Sequence, residues 1–511
     1  MAYQDARVRR PFATPALLLG AACLGIHLAA NNGYDVFRDE LYFMVCGQRP
    51  AFGYVDQPPL VPLIAGASHA LFGTALMPLR LLPALAMAAT VALTAKLAES
   101  LGGARFAQWL SGLAVLLAPV FLVNGLLLST DMLQPLTWLA CSWLLVRLAQ
   151  TRDERTWLAF GMVVGISLAS KYLIVFYLFG LAVGVVATPL RRSLASPWIY
   201  AGAAIALAMT APNLIWQAAH GWPFLEVAAA GASGKNLSLS PLAFIAQQAL
   251  LVGPASAPLW IAGLWRLAVR PPAPELRVFP IAYGAMAAIF IASSGKAYYL
   301  APIYPTLFAA GAVAFESWFA SRIVRWIVIG IVGIAGLATL PIVLPVLPLD
   351  QFIAYSRALG MAPSTTASER GAQSVLPQYF ADMFGWREMA AQVSAVYLAL
   401  PPADRQQAVF FGRNYGEAAA LDVYGPALHG PPAISGHNNY FLWGPNGFDG
   451  SIVITVGGDA AKLATIFSDV QIAGRIDNSY AMPSETHIPI YVLRSPRTPL
   501  REIWQSLKHY E

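Results

Sequence analysis

Apolar segments recur along the chain as far as Leu347, separated by short polar stretches. A bilayer core of about 30 Å requires roughly 20 apolar residues per helix, and shorter helices are tolerated where other helices surround them. The pattern predicts a polytopic α-helical membrane protein with about eleven transmembrane helices. Their approximate bounds are Pro15–Ala30, Met77–Ala95, Phe106–Val123, Met132–Val146, Trp157–Ala169, Tyr172–Ala187, Trp198–Trp216, Leu242–Ala262, Val278–Ala292, Tyr298–Ala314 and Ile323–Leu347.

The stretch from Trp157 to Ala187 is compatible with one long tilted helix or with two short helices broken at Ser170-Lys171-Tyr172. Two helices are favoured, because only that division puts the basic residues between the spans on one side, which is cytoplasmic by the positive-inside rule. A lysine at the centre of a span would also cost about 3 kcal/mol on insertion scales. The N-terminus is then cytoplasmic and the C-terminus lies outside. The basic residues on the predicted cytoplasmic side are Arg7, Arg9, Arg10, Lys96, Arg105, Arg147, Arg152, Arg155, Arg191, Arg192, Arg266, Arg270, Arg277, Arg322 and Arg325.

The amino-acid composition is typical of a protein whose surface lies largely in lipid. Hydrophobic residues make up 57% of the 511 residues and charged residues 11%, whereas soluble domains carry about a quarter charged residues. The net charge of +6 is therefore interpreted as a topology signal, and no nucleic-acid partner is predicted. The three cysteines lie far apart, so their spacing indicates neither a disulfide framework nor a cysteine metal site.

The composition changes after Pro348. Short β-like runs such as AVFFG, SIVITV and IYVLR alternate with helical runs such as WREMAAQVSAVYLAL and LREIWQSLKHY. We predict a transmembrane domain over 1–347, with a large first outer loop at 31–76, and a small extracytoplasmic α/β domain over 348–511. Within that loop, the run PPLVPLIAGASHALFG is too short to span and opens with prolines, which is typical of a helix lying at the membrane interface.

Acidic residues are concentrated in the first outer loop, and acids near a bilayer are costly unless they are paired, solvated or used. One interpretation is structural, with Arg38 and Arg49 satisfying the negative charges. The other is chemical, because a carboxylate beside a reacting hydroxyl can remove its proton. The acids of this loop are Asp35, Asp39, Glu40 and Asp56.

The motifs around these acids resemble a known family. The Asp39-Glu40 pair after the first helix is followed by a Tyr-x-x-x-Pro-Pro segment and then, in order, by MPLRL, STD, SKY and GKAYYLAPIYP, which together cover most of 31–316. This order resembles the polyprenyl-phosphate-sugar glycosyltransferases related to protein O-mannosyltransferases and to lipid A aminoarabinose transferase (glycosyltransferase family 39). The resemblance implies the C-type glycosyltransferase fold, with a large first outer loop, juxtamembrane helices and an extracytoplasmic C-terminal domain.

The resemblance also implies roles for single residues. Asp39 matches the catalytic or donor-orienting carboxylate, with Glu40 supporting it, and Asp131 matches a second acidic position. Helix capping before Met132 is the structural alternative for Asp131.

The donor phosphate needs fixed positive partners, because a lipid monophosphate gains negative charge as it leaves. Arg80, Lys171 and Lys296 are the predicted ligands, with Tyr298 beside Lys296 in the longest matching motif. Arg80 is favoured by the bidentate geometry of its guanidinium group. Snorkelling of long cationic side chains at helix ends is the structural alternative.

A divalent metal is an open alternative, and no cofactor is required by the sequence. Some relatives hold a metal with an acid and a histidine at comparable loops, which here correspond to Asp56 and His220. Two ligands are fewer than the three protein ligands that catalytic zinc normally has. Gln57 also stands where some relatives carry a basic residue, which disfavours a phosphate contact there.

Two further groups of polar residues have structural interpretations. The cluster His437, Asn438, Asn439, Tyr440 and Trp443 would suit sugar stacking, but loops use the same residue types for turns, and the turn interpretation is favoured. His27 and His69 are interpreted as packing residues.

These observations predict an inner-membrane enzyme that transfers a sugar from a polyprenyl-phosphate donor to a glycan, lipid or protein acceptor. Membrane lipids are its other predicted partners. Asp39 would take the acceptor proton in a direct displacement that inverts the anomeric carbon. A transporter or flippase for lipid-linked sugars is the rival interpretation, but it would be expected to show sequence repeats and midplane polar residues, which we do not find. A non-catalytic lipid-binding scaffold is the third alternative.

Overall fold

The computed structural model describes residues 13–231, 239–360 and 374–511, and these fall into two compact units. The described residues of the first unit are 13–33, 80–215 and 239–348, and those of the second are 34–79, 216–231, 349–360 and 374–511. The predicted boundary next to Pro348 is therefore also a boundary between units. Residues 34–79 belong to the same unit as the C-terminal segment, and the assignment of 1–347 and 348–511 as domains stays a prediction. Arg7, Arg9 and Arg10 lie outside the described residues.

The first unit contains helices and connecting turns, and no strand occurs among its described residues. Its 3-10 helices are Pro189–Ala195, Pro254–Ser256, Pro274–Arg277 and Ala297–Ile303. Its α-helices are Thr14–Ala30, Leu81–Ser100, Arg105–Leu116, Pro119–Leu126, Gln134–Thr151, Thr156–Ser170, Ile174–Ala187, Pro197–Ala219, which extends into the second unit, Pro241–Val252, Ala257–Val269, Val278–Ala292, Tyr304–Trp318 and Arg322–Val343.

Five helices among the described residues are long and apolar enough to cross a membrane, or up to eight if each bent pair is one span. These helices support a polytopic membrane protein, but the count of about eleven spans is not confirmed. Two predicted spans are wrong as continuous helices. The chain bends by 64° before Pro119 and by 100° between Pro241–Val252 and Pro254–Val269. Proline lacks the N–H that would continue the helix, which explains both breaks.

Helix Arg322–Val343 shows the apolar character of the first unit most clearly. Only 17% of its most apolar window is buried inside the protein. Large apolar side chains at helical spacing therefore remain exposed, as expected for a surface that contacts lipid. They include Ile323, Trp326, Ile327, Ile331, Ile334 and Leu337.

The predicted break within 157–187 is confirmed. One helix ends at Ser170 and the next begins at Ile174. Between them Lys171 has extended backbone angles, φ −157° and ψ 142°, and its N–H donates to the Ser167 carbonyl at 2.9 Å. The break places Lys171 at a helix end, as the cost of a mid-span lysine requires.

The second unit contains a mixed five-stranded sheet, which confirms the predicted α/β character of the C-terminal segment. Its strands are β1 (Ala408–Gly412), β2 (Ala433–Ser435), β3 (Ile452–Val456), β4 (Phe467–Ile476) and β5 (Ile488–Pro496), in the order β2-β1-β3-β5-β4. β1 pairs in parallel with β2 and β3, and β5 pairs antiparallel with β3 and β4. The predicted runs AVFFG, SIVITV and IYVLR lie in β1, β3 and β5.

The second unit also contains helices. Some of them lie in the segment 34–79, which was predicted as part of the first outer loop. The predicted interfacial run forms a helix at Leu60–Phe72, while LREIWQSLKHY is divided between Leu500–Ile503 and a 3-10 helix at Trp504–Leu507. The other helices are Arg38–Gln48, Leu76–Leu79, Pro223–Ala230, Leu349–Ala358, Gln378–Ala381, Trp386–Ala399, Pro402–Arg405, Tyr415–Tyr424, Gly425–Leu428 (3-10), Asn439–Trp443, Ala460–Ile466 and Pro483–Glu485 (3-10).

Two glycines allow the helix that carries Asp39 to lie close against its neighbour. A Cβ atom on Gly47 would lie 2.5 Å from the Cα of Gly66, and one on Gly66 would lie 2.6 Å from the Gly47 carbonyl oxygen. Any larger residue at either position would push helices Arg38–Gln48 and Leu60–Phe72 apart. Their close packing fixes the position of Asp39 within the second unit.

Candidate active site

Asp39 lies in the first turn of helix Arg38–Gln48 and bonds to a residue from the C-terminal segment. The hydroxyl of Tyr415 donates to Asp39 Oδ1 at 2.7 Å, and Arg38 Nε lies 3.5 Å from the same oxygen. The Asp39 side chain is 33% exposed. Its other oxygen, Oδ2, accepts no hydrogen bond from the described residues. Asp39 therefore combines one oriented oxygen with one that a substrate hydroxyl could approach.

Tyr415 is held rigidly where it meets Asp39. It begins helix Tyr415–Tyr424, whose start is capped by the Asn414 side chain, which accepts from the Glu417 N–H at 3.0 Å. Its ring packs against the rings of Tyr42 at 4.6 Å and His437 at 4.8 Å. Burial raises the pKa of Tyr415 well above its usual value. The phenol therefore keeps its proton at neutral pH and acts as a donor to the carboxylate.

Glu40 has a different local role from Asp39. Its side chain is fully buried, and Oε2 accepts from the Phe37 N–H at 2.9 Å, which closes the start of the Asp39 helix. An acid in the first turn also complements the positive end of the helix. Glu40 supports Asp39 by fixing the backbone at the start of the helix that carries Asp39.

The structural interpretation of the acidic loop holds only in part. Arg38 lies beside Asp39 and also pairs with Asp382 at 3.5 Å. Asp35, in contrast, pairs with Arg387 at 3.0 Å. The guanidinium group of Arg49 lies 4.3 Å from the centre of the Trp443 ring. Arg387 is a partner that the sequence analysis did not identify.

Asp56 is the centre of a second polar network in this unit. Its Oδ1 accepts from the Tyr42 hydroxyl at 3.0 Å, and its Oδ2 accepts from Asn438 Nδ2 at 3.3 Å. Asn439 Oδ1 in turn accepts from the Val55 N–H at 2.6 Å. The prediction that 437–440 form a simple surface turn is therefore wrong. These residues are buried and bind the loop segment, because their amides satisfy polar groups that would otherwise lie unpaired in the interior.

The residues proposed for a metal do not form a ligand set. His220 is exposed, stacks on Trp216 with 4.1 Å between ring centres, and shares a hydrogen bond of 2.8 Å between Nδ1 and the Trp216 carbonyl. Both oxygens of Asp56 already accept hydrogen bonds. No group of three His, Cys, Asp or Glu side chains suited to a metal occurs among the described residues. The geometry does not fit the predicted Asp56–His220 site.

In the first unit, Asp131 pairs with Lys171. Their Oδ2 and Nζ atoms are 2.7 Å apart, and the two side chains are 19% and 22% exposed. The helix after Asp131 begins at Gln134, with Leu133 as its N-cap and no side-chain cap, so the capping alternative for Asp131 is wrong. The hydroxyl of Ser170 donates to the Thr130 carbonyl at 2.9 Å and holds the two segments together.

The rings of Tyr298 and Tyr299 lie next to this pair in the same unit. Lys171 Nζ lies 5.8 Å from the ring centre of Tyr298 and 5.3 Å from that of Tyr299. Lys296 is half-buried and precedes the 3-10 helix Ala297–Ile303 that carries both rings. The motifs STD, SKY and GKAYY, distant in sequence, thus contribute to one cluster of charged and aromatic side chains.

Arg80 and the predicted packing histidine His27 are buried in the same unit. Arg80 is 0% exposed, and its Nη1 donates to the Asn31 carbonyl at 2.9 Å. His27 bonds to the carbonyls of Cys23 at 2.8 Å and Leu122 at 3.1 Å, which confirms its packing role. The carbonyl contact fixes the Arg80 side chain, and its role as a phosphate ligand stays a prediction.

Comparisons with known proteins agree with these motifs. The family model for dolichyl-phosphate-mannose-protein mannosyltransferases matches residues 56–216. The predicted family resemblance is confirmed. A lipid A galacturonosyltransferase, RgtD from Rhizobium johnstonii, is 28% identical to this chain over 256 residues, 49% of this chain and 52% of RgtD. The chain thus matches about half the length of that curated protein.

The fold of this chain is also found in solved structures. ArnT from Cupriavidus metallidurans, bound to undecaprenyl phosphate, has a TM-score of 0.61 at 16% identity, over 93% of this chain and 97% of ArnT. Its apo structure gives 0.62 at 15% identity over the same shares. At this identity the likeness shows a common fold, which extends over both compact units.

Proposed function

We propose that the protein is an integral membrane glycosyltransferase that moves a sugar from a polyprenyl-phosphate donor to an envelope acceptor. The family match over 56–216 and the ArnT fold support this class of reaction. The observation that carries the proposal is the geometry of Asp39. Its carboxylate is partly exposed, and one of its oxygens is oriented by a buried phenol.

The proposed reaction is a direct displacement at the anomeric carbon. The acceptor hydroxyl approaches Asp39 Oδ2, which takes its proton as the new bond from oxygen to the anomeric carbon forms. The bond from that carbon to the phosphate oxygen breaks, and the leaving polyprenyl phosphate keeps the electron pair. Attack opposite the leaving group inverts the anomeric carbon. No nucleotide is needed, because the sugar is already activated by its phosphate.

Cationic side chains would stabilise the charge that develops on the leaving phosphate. Lys171 is one proposed ligand, because Asp131 and the rings of Tyr298 and Tyr299 hold its ammonium group in place. Lys296, Arg80 and the Tyr298 hydroxyl are the further proposed phosphate ligands. Asp131 then acts as the partner that positions Lys171, in addition to its predicted role as the second acid.

The donor class is supported by the undecaprenyl phosphate bound to ArnT, and an acceptor of the lipid A type by the name of RgtD. Other glycans, lipids and proteins remain acceptors within the proposal. We propose that the reaction occurs on the outer face of the inner membrane, with the C-terminal segment outside the cytoplasm. No step uses a metal.

Release of free polyprenyl phosphate tests the proposed function. Mass spectrometry of envelope glycolipids and glycoproteins, from cells with and without the gene, would first identify the sugar and acceptor. The purified protein in lipid nanodiscs, given that donor and acceptor, should then release polyprenyl phosphate in step with glycosylated acceptor. Movement of intact lipid-linked sugar across vesicles, with no release of polyprenyl phosphate, would instead establish a transporter and refute the proposal.

A further inference from the structure

The C-terminal segment supplies a side chain to the candidate general base. Tyr415 and Asp39 are 376 positions apart in sequence, yet the phenol donates to Asp39 Oδ1 at 2.7 Å. Both residues lie in the second compact unit. A hydrogen bond to a charged carboxylate is short and roughly twice as strong as one between neutral groups. This contact therefore has the length and chemistry of a strong orienting bond.

The surroundings of Tyr415 restrict its movement. It is 8% exposed and lies between the rings of Tyr42 and His437. Arg38 passes over its ring with 5.5 Å between the guanidinium carbon and the ring centre. The next residue is Gly416, where a Cβ atom would lie 2.6 Å from Arg38 Cγ. The absence of a side chain at Gly416 thus lets Arg38 pack against this turn.

The hydrogen bond from Tyr415 also gives the two Asp39 oxygens different roles. Because Oδ1 is engaged by Tyr415, the carboxylate plane is fixed and Oδ2 is the oxygen presented to a substrate. A general base must lie within hydrogen-bond reach of the proton that it removes, so small rotations of the carboxylate reduce the rate.

We infer that Tyr415 is a positioning residue for Asp39, so that the C-terminal segment completes the catalytic group. The inference rests on the proposed function, in which Asp39 is the base. Transfer at the full rate then requires this phenol in addition to the sequence motifs within 31–316.

The test is Tyr415→Phe in the full-length protein, compared with Tyr440→Phe. Tyr440 is 2% exposed and donates to Asp422 Oδ2 at 2.7 Å, so both variants lose one buried hydroxyl bound to a carboxylate in the same unit. Tyr415→Phe should lower kcat by about ten- to a hundred-fold, the loss expected for a hydrogen bond to a charged group, and leave KM for the lipid donor within about two-fold. Tyr440→Phe should keep kcat close to wild type.

The split between kcat and KM separates positioning from a general structural defect. A lower kcat at an unchanged KM for the lipid donor indicates a lost interaction that acts in the transition state. A packing defect would instead lower kcat in both tyrosine variants.

Each outcome decides the question. Wild-type kcat in a folded Tyr415→Phe protein would refute the positioning role. Equal losses of kcat in both tyrosine variants would also refute it and indicate a packing defect. Failure of the proposed function would be recognised separately, because the wild-type protein itself would then release no polyprenyl phosphate.

Discussion

The Lys171 ammonium lies 2.7 Å from Asp131 Oδ2, and the two residues are 40 positions apart in the chain. The pair forms where helix Thr156–Ser170 ends, and each side chain remains about one-fifth exposed. An incompletely buried lysine with an acidic partner avoids the cost of an isolated charge and still has surface for an anion. The Lys171 ammonium group is thus suited to bind a phosphate in place of part of its contact with Asp131.

Lys296 is expected to contribute more than Lys171 to turnover, because it lies in the longest family motif and its ammonium group should stabilise the charge that develops on the phosphate. Lys296→Ala should lower kcat by about 10²- to 10³-fold at saturating donor, the loss typical of one preorganised partner of a developing anion. Lys171→Ala should lower it less. The exposed Lys462 of helix Ala460–Ile466 is the control, and Lys462→Ala should have no effect. A purified Lys296→Ala enzyme that retained half of the wild-type rate would contradict the phosphate role.

Asp39→Asn should abolish transfer while the protein still binds the lipid donor. Asparagine keeps the size of the side chain but cannot accept the hydroxyl proton at neutral pH. Asp35→Asn is the matched control in the same loop, since Asp35 forms a partly exposed ion pair with Arg387 worth about 0–1 kcal/mol. Stopped turnover in Asp39→Asn with near-normal turnover in Asp35→Asn is expected. Near-normal turnover in a stable Asp39→Asn protein would remove Asp39 from the mechanism.

Asp422 should make the stability of the second unit depend on pH. Burial raises the pKa of this carboxyl to about 6, although the Tyr440 hydroxyl and Arg49 oppose the shift. The pKa of Asp422 in the folded protein exceeds the value of about 3.9 in the unfolded chain. The stabilisation that Asp422 contributes is therefore fully present below about pH 4 and is lost as pH rises through about 6.

Asp422→Asn should therefore raise Tm relative to wild type at pH 8 and change it less at pH 4.5, because asparagine carries no charge to bury. Thermal melting of both proteins in the same detergent at the two pH values measures the difference. A change in Tm that is the same at both pH values would show that Asp422 is not the titrating group.

Gln248 should stabilise the turn that carries Tyr298 and Tyr299. It is buried, its Nε2 donates to the Ala297 carbonyl at 3.1 Å, and its Oε1 accepts from the Tyr304 hydroxyl at 2.9 Å. Gln248→Leu would leave both partners without this bond, at a cost of roughly 1–3 kcal/mol for each buried polar group. We expect a lower Tm and lower turnover, with a smaller loss in Tyr304→Phe, which keeps the bond from Gln248 to the Ala297 carbonyl. Wild-type Tm and turnover in Gln248→Leu would contradict this role.

Local signals in the sequence were sufficient for the class of protein and for several elements. The apolar runs predicted a polytopic membrane protein, and Lys171 predicted the break that ends one helix at Ser170 and begins the next at Ile174. The run AVFFG predicted β1, and prolines marked the start of the short helix Leu60–Phe72. These features depend on side-chain periodicity, charge and backbone restriction within a few residues, which the sequence shows directly.

The contacts of the candidate site were decided by the tertiary structure. Nothing within reach of Asp39 in sequence indicated that Tyr415 would bind it, and the Asn414 cap signalled only that a helix starts there. Asp131 was equally compatible with capping until its distance from Lys171 was known. The 100° bend after Pro241–Val252 interrupts the apolar run that predicted one continuous span, Leu242–Ala262. Hydrogen bonds and ion pairs of this kind need two groups to meet within about 3 Å, and only the packing of distant segments determines which groups meet.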